Sequence, residues 1–218
     1  MVRSLRRPVV SRSTHWRRQL KIIIVGAEGT VGRAVAAELG KRHEVIAVGR
    51  KSGLIRADIT DRASVEALFA RTGKVDAVVA TAGHTHFAPL TAMTEDQFRV
   101  GLDDKVMGQV RMVLSGLPFV NDGGSFTLTS GILSRDPIRQ GASAATVDAA
   151  IEGFVLAAAI EMPRGIRINA VCPGLLEESA KAYEGFFPGH VPVPGWKVAQ
   201  GYAKSVEGAI TGQTIVVL

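Results

Sequence analysis

A glycine-rich turn between two apolar segments limits the folds open to this chain more than any other feature. The turn reads Gly26-x-x-Gly29-x-x-Gly32 and follows the β-branched residues 22–25, which have the composition of a strand buried on both faces. Apolar residues then recur with helical spacing, and a second apolar run occupies residues 45–48. Strand, glycine turn, helix and strand in this order predict the first half of a dinucleotide-binding fold.

Each glycine has its own role in such a turn. Gly26 permits the sharp reversal, Gly29 lets the backbone approach a pyrophosphate, and Gly32 lets the helix lie close to the strand. The backbone N–H groups of Thr30 and Val31 begin the helix, where the helix dipole favours a negative charge. A tight turn that binds nothing is the alternative interpretation, since the chain contains 24 glycines.

The rest of the chain alternates strand-like and helix-like segments. This alternation over 218 residues predicts one doubly wound α/β domain with a parallel sheet and helices on both faces. We place this Rossmann-like domain at residues 21–218. The single cysteine, Cys172, excludes an intrachain disulfide bond and fits a reducing, cytoplasmic compartment. No apolar run approaches the roughly 20 residues that span a bilayer, so we expect no membrane partner.

The excess positive charge lies at the start of the chain. Residues 1–20 contain six arginines and no acidic residue, whereas the whole chain has 26 basic and 20 acidic side chains. The remainder is therefore balanced, which argues against a nucleic-acid partner. The segment lacks the apolar stretch of a secretory signal. We interpret it as a disordered basic extension, and a targeting segment, a phosphate-binding arm or a misplaced translation start are the alternatives.

The end of the second predicted strand indicates which dinucleotide is bound. It reads Gly49-Arg50-Lys51-Ser52, without the acidic residue that holds the ribose 2′-hydroxyl in folds that prefer NAD. Two cations and a hydroxyl suit a 2′-phosphate, so the sequence predicts NADP(H) in preference to NAD(H). An ordinary basic loop is the alternative interpretation.

Further candidate cofactor contacts follow the next two predicted strands. Asp58 and Ile59 come after the third strand and are expected near the adenine, although capping of the next helix is an alternative role for Asp58. Thr81, Ala82 and Gly83 come after the fourth strand. The carboxyl ends of strands are the edge at which open α/β sheets bind ligands.

Polar side chains near this edge are candidates for contact with a substrate. His84 and His86 lie on the loop after the fourth predicted strand, where they either meet a substrate or are merely exposed. No further residues accompany them as metal ligands, so we predict no metal site. A capping box at Thr94 begins a helix predicted over residues 95–114. Lys105 lies on a glycine-bearing face of that helix, which indicates close packing and a specific role for the lysine.

The order of these parts resembles that of the short-chain dehydrogenases/reductases over residues 21–218. The most specific match is residues 163–174, which read PRGIRINAVCPG. This stretch is similar to the family's strand before its nicotinamide-contacting Pro-Gly pair, here Pro173 and Gly174. Residues 212–215 resemble the family's last strand.

Two further stretches carry the resemblance into the catalytic half. Residues 149–154 resemble the middle of the family's active-site helix, and residues 127–130 resemble the strand that ends in its catalytic serine, here Ser130. The resemblance implies a seven-stranded parallel sheet and a nicotinamide cofactor. It also implies oxidoreduction between a carbonyl and an alcohol on a small molecule.

The family's acid/base residues are missing from this chain. Its Tyr-x-x-x-Lys motif falls on Ala144 and Asp148, and its helix asparagine, which holds a water in a proton relay, falls on Lys105. The asparagine that precedes Ala-Gly in the family is Thr81 here. The resemblance is therefore to a divergent subgroup that retains the cofactor half and lacks the usual active-site motif.

Two functions are compatible with this pattern. The first is an NADP(H)-dependent oxidoreductase in which Ser130 orients a carbonyl oxygen and Lys105 donates the proton. Tyr183, His84 and His86 are alternative proton sources. The second is a catalytically inactive NADP(H)-binding sensor or partner subunit, because the residues that use the cofactor are absent while those that bind it are kept.

The remaining expectations concern the covering loop and the assembly. Residues 175–197 are irregular and rich in proline towards their end, as a mobile substrate-covering loop would be. By resemblance to the family, the helices predicted over residues 95–114 and 142–162 also pack against a second subunit. We therefore expect a homodimer or homotetramer that acts on a small-molecule substrate.

Overall fold

The computed structural model describes residues 18–218, so most of the predicted N-terminal extension lies outside the described part. The described chain forms a seven-stranded sheet in the order β3-β2-β1-β4-β5-β6-β7, and all neighbouring strands are parallel. The strands are β1 (Lys21–Val25), β2 (Glu44–Gly49), β3 (Ile55–Arg56), β4 (Val75–Ala80), β5 (Val120–Thr129), β6 (Arg167–Pro173) and β7 (Thr214–Val217).

Helices cover both faces of this sheet, which confirms the predicted α/β class. They are α1 (Thr30–Leu39), α2 (Arg62–Thr72), α3 (Glu95–Gly101), α4 (Met107–Gly116), α5 (Ala142–Ala158), α6 (Glu177–Ala180) and α7 (Gly195–Glu207). Short 3₁₀ turns cover Ile132–Ser134 and Lys181–Tyr183.

Alternation along β1, an interior strand of the sheet, shows that the core has two layers. Ile22 and Ile24 face the layer formed with α1 and α7, whereas Ile23 and Val25 face the layer formed with α2, α4 and α5. Successive side chains of a strand point to opposite faces, so a fully apolar strand such as β1 contributes to both layers. Because helices cover both faces of the sheet, residues 22–25 of β1 are all apolar.

The strand order places a crevice above β1. This strand pairs with β2 on one side and β4 on the other, so the loops that follow β1 and β4 leave the sheet in opposite directions. Such a reversal of strand order is where doubly wound sheets bind their ligands. The glycine turn after β1 and the Thr81–Gly83 loop after β4 are the residues that this topology brings together.

Several predicted boundaries are corrected by the structure. The helix predicted over residues 95–114 is divided into α3 and α4 by a π-helical turn at Leu102–Val106. The helix predicted to reach residue 162 ends at Ala158, and the irregular segment 175–197 contains α6 and a 3₁₀ turn. The turn predicted at residues 121–124 lies within β5, where the pairing with β4 shifts register.

Candidate functional site

The glycine turn has the geometry that its sequence predicts. Gly26 adopts φ 82°, and a Cβ atom there would lie 2.8 Å from the backbone nitrogen of Ala82. A Cβ atom at Gly32 would overlap the carbonyl oxygen of Gly26 and lie 2.8 Å from Cα of Ala27. Glycine is therefore required at both positions, because backbone fills the space that a side chain would need. α1 can then start directly against β1.

The start of α1 is open to the crevice. Gly29 is the N-cap residue, and no side chain among the described residues caps this end of the helix. The first helical residues, Thr30 and Val31, therefore offer their backbone N–H groups without an intrahelical partner. A helix end of this kind attracts a negatively charged group such as a phosphate.

A cleft of about 330 Å³ lies between the glycine turn and the loops after β2, β3 and β4. The predicted cofactor residues on its walls are Gly26, Gly29, Arg50, Asp58, Ile59, Thr81, Ala82 and Gly83. The sequence did not single out four other lining residues, Val25, Ala57, His84 and Asp104, for this cleft. Most of the predicted nucleotide contacts are thus brought together in one place.

Pro173 and Gly174 do not line this cleft. Pro173 is the last residue of β6, and the backbone N–H of Gly174 donates to the carbonyl oxygen of Val217 at 2.9 Å. A Cβ atom at Gly174 would lie 3.3 Å from side-chain atoms of Val193 and Leu218. The predicted nicotinamide contact at Pro173 and Gly174 is therefore neither brought onto the cleft wall nor excluded by this geometry, and it stays a prediction.

Asp58 is fixed at the cleft wall by its own turn. Its carboxylate accepts hydrogen bonds from the backbone N–H and the hydroxyl of Thr60, at 2.9 and 2.7 Å. These bonds lower the pKa of Asp58, and the nearby charge of Arg50 acts in the same direction. The alternative role as helix cap is wrong, because Asp61 caps α2 by accepting from the N–H of Ala63. The side chain of Asp58 remains available to the cleft.

A carboxylate stands next to the predicted 2′-phosphate residues. Glu28 accepts a short hydrogen bond from the hydroxyl of Ser52, and its carbonyl oxygen accepts from Arg33 at 2.5 Å. Arg50 and Lys51 are exposed beside this contact. Sequence reasoning missed Glu28, although its position inside the glycine motif was a usable signal. Glu28 and Asp58 therefore both place a negative charge near the predicted 2′-phosphate cations.

Lys105 forms a buried ion pair with Asp148 at the inner end of the same crevice. Its ammonium nitrogen lies 2.5 Å from Oδ1 of Asp148 and 3.1 Å from the carbonyl oxygen of Ser130. The side chains of Lys105 and Asp148 are only 15% and 5% exposed. Burial raises the pKa of Asp148 above its ordinary value, although the positive charge of Lys105 acts in the opposite direction. Lys105 and Asp148, two of the positions at which the sequence differs from the family pattern that it resembles, therefore contact each other.

The backbone around Lys105 brings its side chain close to the cleft. Lys105 lies in the π-helical turn Leu102–Val106. A Cβ atom at Gly83 would be 2.5 Å from Cγ of Lys105, so the aliphatic stem of the lysine packs directly on the loop after β4. Gly101 packs against Val147 of α5 in the same close manner. This confirms the prediction that the glycine-bearing helix face packs closely. π-turns of this kind recur at functional sites.

Ser130 is not presented to this crevice. The residue is 2% exposed, and its hydroxyl donates to Oε1 of Glu152 at 3.0 Å. The next residue, Gly131, faces the ion pair instead, because a Cβ atom there would lie 2.6 Å from Oδ2 of Asp148. The hydroxyl of Ser130 is therefore engaged with Glu152, and its catalytic role stays a prediction.

Glu152 is the residue that sequence reasoning missed on this side. Its carboxylate also accepts from the hydroxyl of Ser134 at 2.9 Å and pairs with Arg135 at 2.7 Å. Glu152 lies one helical turn after Asp148, and its charge contributes to the raised pKa of Asp148. The spacing of two acids four residues apart on α5 was the available signal.

The alternative proton sources have different surroundings from the ion pair. His84 is exposed on the cleft rim, and its backbone N–H donates to Asp104 at 3.0 Å, whereas His86 is partly buried. Tyr183 is 38% exposed in the covering segment, with its ring 6.3 Å from that of Phe87. Lys105 differs from all three by its buried contact with a carboxylate, and the roles of the three alternatives stay predictions.

Within residues 18–218, no three His, Cys, Asp or Glu side chains group as ligands for a metal ion. None of the helices described is long and apolar enough to cross a membrane.

Residues 26–189 match the family model described as Enoyl-(Acyl carrier protein) reductase. The chain belongs to the short-chain dehydrogenase/reductase family. Its fold closely matches the protein lin1944 from Listeria innocua, with a TM-score of 0.90 and 49% identity over 91% of this chain and all of that one. It also matches a small-chain dehydrogenase crystallised with NADPH, with a TM-score of 0.81 and 27% identity over 91% of this chain and 96% of the other.

Curated relatives within the short-chain dehydrogenase/reductase family include reductases of hydroxylated naphthalenes. Tetrahydroxynaphthalene reductase PfmaG of Pestalotiopsis fici is 30% identical over 177 residues, which are 70% of this chain and 64% of that protein. The hydroxynaphthalene reductase-like protein Arp2 of Metarhizium brunneum is 27% identical over 70% of this chain and 66% of its own length. The chain thus spans somewhat less than two thirds of the length of these relatives.

Proposed function

We propose that this short-chain dehydrogenase/reductase is an NADP(H)-dependent oxidoreductase that interconverts a carbonyl group and an alcohol on a small molecule. One observation carries the proposal. The ammonium group of Lys105 is held by Asp148 at the inner end of the cleft, where its stem packs on Gly83 of the cleft wall. An acid group at this place takes over the task of the family's missing tyrosine.

The cleft fits a nicotinamide dinucleotide by its shape and its donors. The glycine turn leaves room for a pyrophosphate, and the open start of α1 supplies N–H donors to it. Asp58 and Ile59 flank the adenine region, and Thr81 to Gly83 line the passage towards Lys105. When bound, the nicotinamide supplies or accepts the hydride, which no protein side chain can do.

A preference for the phosphorylated cofactor follows from the charge at the outer end. Arg50 lines the cleft and is exposed, so its guanidinium is free to pair with a 2′-phosphate in the bidentate manner that arginine favours. The relative crystallised with NADPH supports this choice. The negative charge of Glu28 repels a 2′-phosphate. The preference for NADP(H) therefore depends on the relative strength of the attraction by Arg50 and the repulsion by Glu28.

Lys105 is the proton donor in this proposal. In the reducing direction its Nζ gives a proton to the substrate oxygen, and in the oxidising direction the neutral amine takes one back. Asp148 keeps the ammonium in place by the 2.5 Å contact, while the carbonyl oxygen of Ser130 accepts a second of its three protons. The third proton is left for the substrate. Burial of the pair strengthens each of these interactions by excluding water.

A second function is favoured by the same contact. Asp148 neutralises Lys105 within the site, and the hydroxyl of Ser130 is engaged with Glu152, so both of these groups already have a carboxylate partner. A protein that binds NADP(H) and presents it to a partner, without turnover, requires no free acid group. This candidate is a non-catalytic sensor or subunit.

Calorimetric titration and turnover assays separate the two functions. We expect saturable NADPH binding and NADPH oxidation with at least one member of a panel of aldehydes and ketones. We expect Lys105→Ala to lower kcat at least about 100-fold, as loss of a general acid does. Lys204→Ala, which removes an exposed lysine of α7, is the control and keeps the wild-type rate. Binding without turnover on the whole panel selects the sensor, and absence of nucleotide binding overturns both.

We also propose the homo-oligomer that the family resemblance implies. Leu114 on α4 and Leu156 on α5 are 60% and 69% exposed, which is unusual for large apolar side chains. Light scattering of the purified chain tests this, because Leu156→Glu is expected to shift an oligomer towards monomer. A monomeric wild-type chain contradicts the proposal.

A further inference from the structure

A third apolar cluster lies beside the Lys105–Asp148 pair, apart from the two layers of the main core. Its buried members are Ile132, Leu133, Ala144 and Cys172, and its partly buried members are Phe87, Ile138, Ala145 and Phe187. Ala144 lies one helical turn before Asp148 on α5, which places the cluster next to the proposed reaction centre. We call these residues the apolar cluster.

Aromatic side chains form the outer side of the apolar cluster. The ring of Tyr183 lies 6.3 Å from that of Phe87 and meets the ring of Phe187 edge-on at 5.8 Å. Phe187 in turn meets the ring of His190 edge-on at 5.2 Å. Tilted and edge-on contacts at these distances are the geometries that aromatic rings prefer with one another.

Three of these rings belong to one loop tip, residues 183–190, which is attached weakly to the rest of the chain. Within the part of the chain that the structure describes, the backbone N–H bonds of Phe186 and His190 stay inside the tip, to Tyr183 and Phe187. The base of the loop differs, because Val193 donates to the carbonyl oxygen of Leu175 at 2.7 Å. The base is fixed to the body, whereas the tip is held by its ring contacts and by His190, 3.4 Å from Asp136.

The tip has the means to move without disturbing its base. Gly185 and Gly189 both adopt φ 81°, a conformation that favours glycine, and no atom lies within 4 Å of the place where a Cβ would stand at either. They bracket Phe186, Phe187 and Pro188. Phe187 packs on the apolar cluster, while the adjacent Phe186 is 39% exposed. A rotation at the two glycines removes one phenylalanine ring from the cluster.

The position that carries a phenol ring in the family carries only a methyl group here. Ala144 takes the place of the family's tyrosine, and Ala144 and Ala145 both belong to the apolar cluster that Phe87 and Phe187 complete. α5 therefore presents no ring at Ala144, and the rings of Phe87 and Phe187 pack over this part of the helix instead. An aromatic ring of a ligand that binds over Ala144 must displace one of these two rings.

We propose that the apolar cluster is the substrate subsite and that it takes the aromatic ring of an aryl carbonyl compound, in exchange for the ring of Phe187. The assignment of this ring as part of a substrate rests on the function proposed above. Sugar and phosphate groups are disfavoured, because all members of the cluster are apolar and would leave such groups without hydrogen bonds. Phe87 forms a fixed wall, and Phe187 is the ring that leaves.

Binding of 2-naphthol, which is not itself reduced, tests the subsite without requiring turnover. Calorimetry in excess NADPH is expected to show saturable binding of 2-naphthol and none of glycerol. Phe87→Ala is expected to weaken 2-naphthol binding about tenfold, because it removes a wall ring. Phe187→Ala is expected to tighten it severalfold, because the protein no longer has to displace its own ring.

Phe186→Ala is the matched control, since it removes an adjacent ring that does not belong to the apolar cluster, and it is expected to leave 2-naphthol binding unchanged. Hydrogen exchange on the wild-type chain provides a test without substitutions: 2-naphthol is expected to accelerate exchange of residues 185–189. No 2-naphthol binding, or equal effects of Phe186→Ala and Phe187→Ala, overturns the subsite. Turnover of aliphatic carbonyls without 2-naphthol binding overturns the subsite alone, whereas 2-naphthol binding with no turnover on any carbonyl overturns only the enzymatic function.

Discussion

The nucleotide side of the cleft is made mainly of backbone, whereas its inner side is made of charged side chains. On the nucleotide side, Gly26 and Gly32 leave no room for a Cβ atom, and α1 begins with uncapped N–H groups. On the inner side, Lys105 and Asp148 pair at 2.5 Å with little exposure to solvent. Gly26 and Gly32 leave no room for any side chain, whereas a paired side-chain site can change its groups when both partners change together.

The two sides also differ in how far their residues follow the family. The resemblance to the family implies that Asp148 stands at the position of the family's lysine, and the structure pairs Asp148 with Lys105 of the π-turn between α3 and α4. On this interpretation, a positive charge is kept on the inner side of the cleft but is carried by a different element of the fold.

The largest expected effect comes from breaking the ion pair on the inner side. Asp148→Ala leaves the ammonium of Lys105 buried without its partner and is expected to lower the free energy of unfolding by about 4 kcal/mol. The double variant Lys105→Met/Asp148→Leu removes both charges. Its free energy of unfolding is expected to fall clearly less than that of Asp148→Ala. Urea unfolding of the variants measures this, and a double variant no more stable than Asp148→Ala contradicts the description of the pair.

The backbone side is expected to respond next most strongly. Gly32→Ala forces a methyl group onto the carbonyl of Gly26, which we expect to cost about 3 kcal/mol of stability and to abolish NADPH binding. Gly153→Ala is the control, since no atom lies within 4 Å of a Cβ at that helical position. Thermal unfolding and nucleotide titration of both variants provide the measurement. If Gly32→Ala binds NADPH with wild-type affinity, the glycine turn does not form the pyrophosphate site.

Cofactor preference is expected to change by a smaller amount. Arg50→Ala removes the guanidinium proposed to hold the 2′-phosphate and is expected to weaken NADPH binding about 30-fold while leaving NADH binding unchanged. Arg56→Ala removes an exposed arginine of β3 and is the matched control. Titration with both nucleotides measures the effect, and equal losses for NADPH and NADH argue against a 2′-phosphate contact.

The smallest expected effect concerns the helix that carries the nucleotide turn. Hydrogen bonds from Lys41, Arg42 and Gln200 lower the pKa of Glu38 from 4.5 to about 2. Because the folded chain has the lower pKa, the stabilisation is complete above pH 4.5 and is lost as the pH falls through about 2.

Glu38→Gln is therefore expected to be less stable than the wild type by about 1 kcal/mol at pH 6. The difference in stability between the wild type and Glu38→Gln is expected to disappear as the pH falls from 4.5 towards 2. Thermal unfolding of both proteins over this pH range measures it. Glu66→Gln changes a more exposed pair with Arg62 and serves as the control. A gap that does not depend on pH over this range contradicts the assignment to Glu38.

The sheet and the nucleotide side were predictable because their constraints lie close together in sequence. Apolar runs, helical periods and glycines within residues 21–50 repeat a pattern that backbone geometry imposes, and the structure confirms the fold. The ion pair was not predictable in the same way. Lys105 and Asp148 were each singled out, but they are 43 positions apart, and only the packing of α5 against the π-turn brings them into contact.

The surroundings of Ser130 show a second limit. Its catalytic role stays a prediction, and its hydroxyl donates to Glu152, which lies 22 positions further along the chain. This contact depends on how α5 packs against the end of β5, and no local sequence pattern specifies that packing.

Lys105 lies in the π-helical turn Leu102–Val106, so the position of its side chain depends on the number of residues in that turn. A π-turn holds one more residue than an α-helical turn of the same kind, and each residue rotates an α-helix by about 100°. Deleting one residue within this turn is expected to restore an α-helical turn and to rotate one flank of the helix by about that angle relative to the other. The direction in which the ammonium group of Lys105 points therefore depends on the number of residues in this turn.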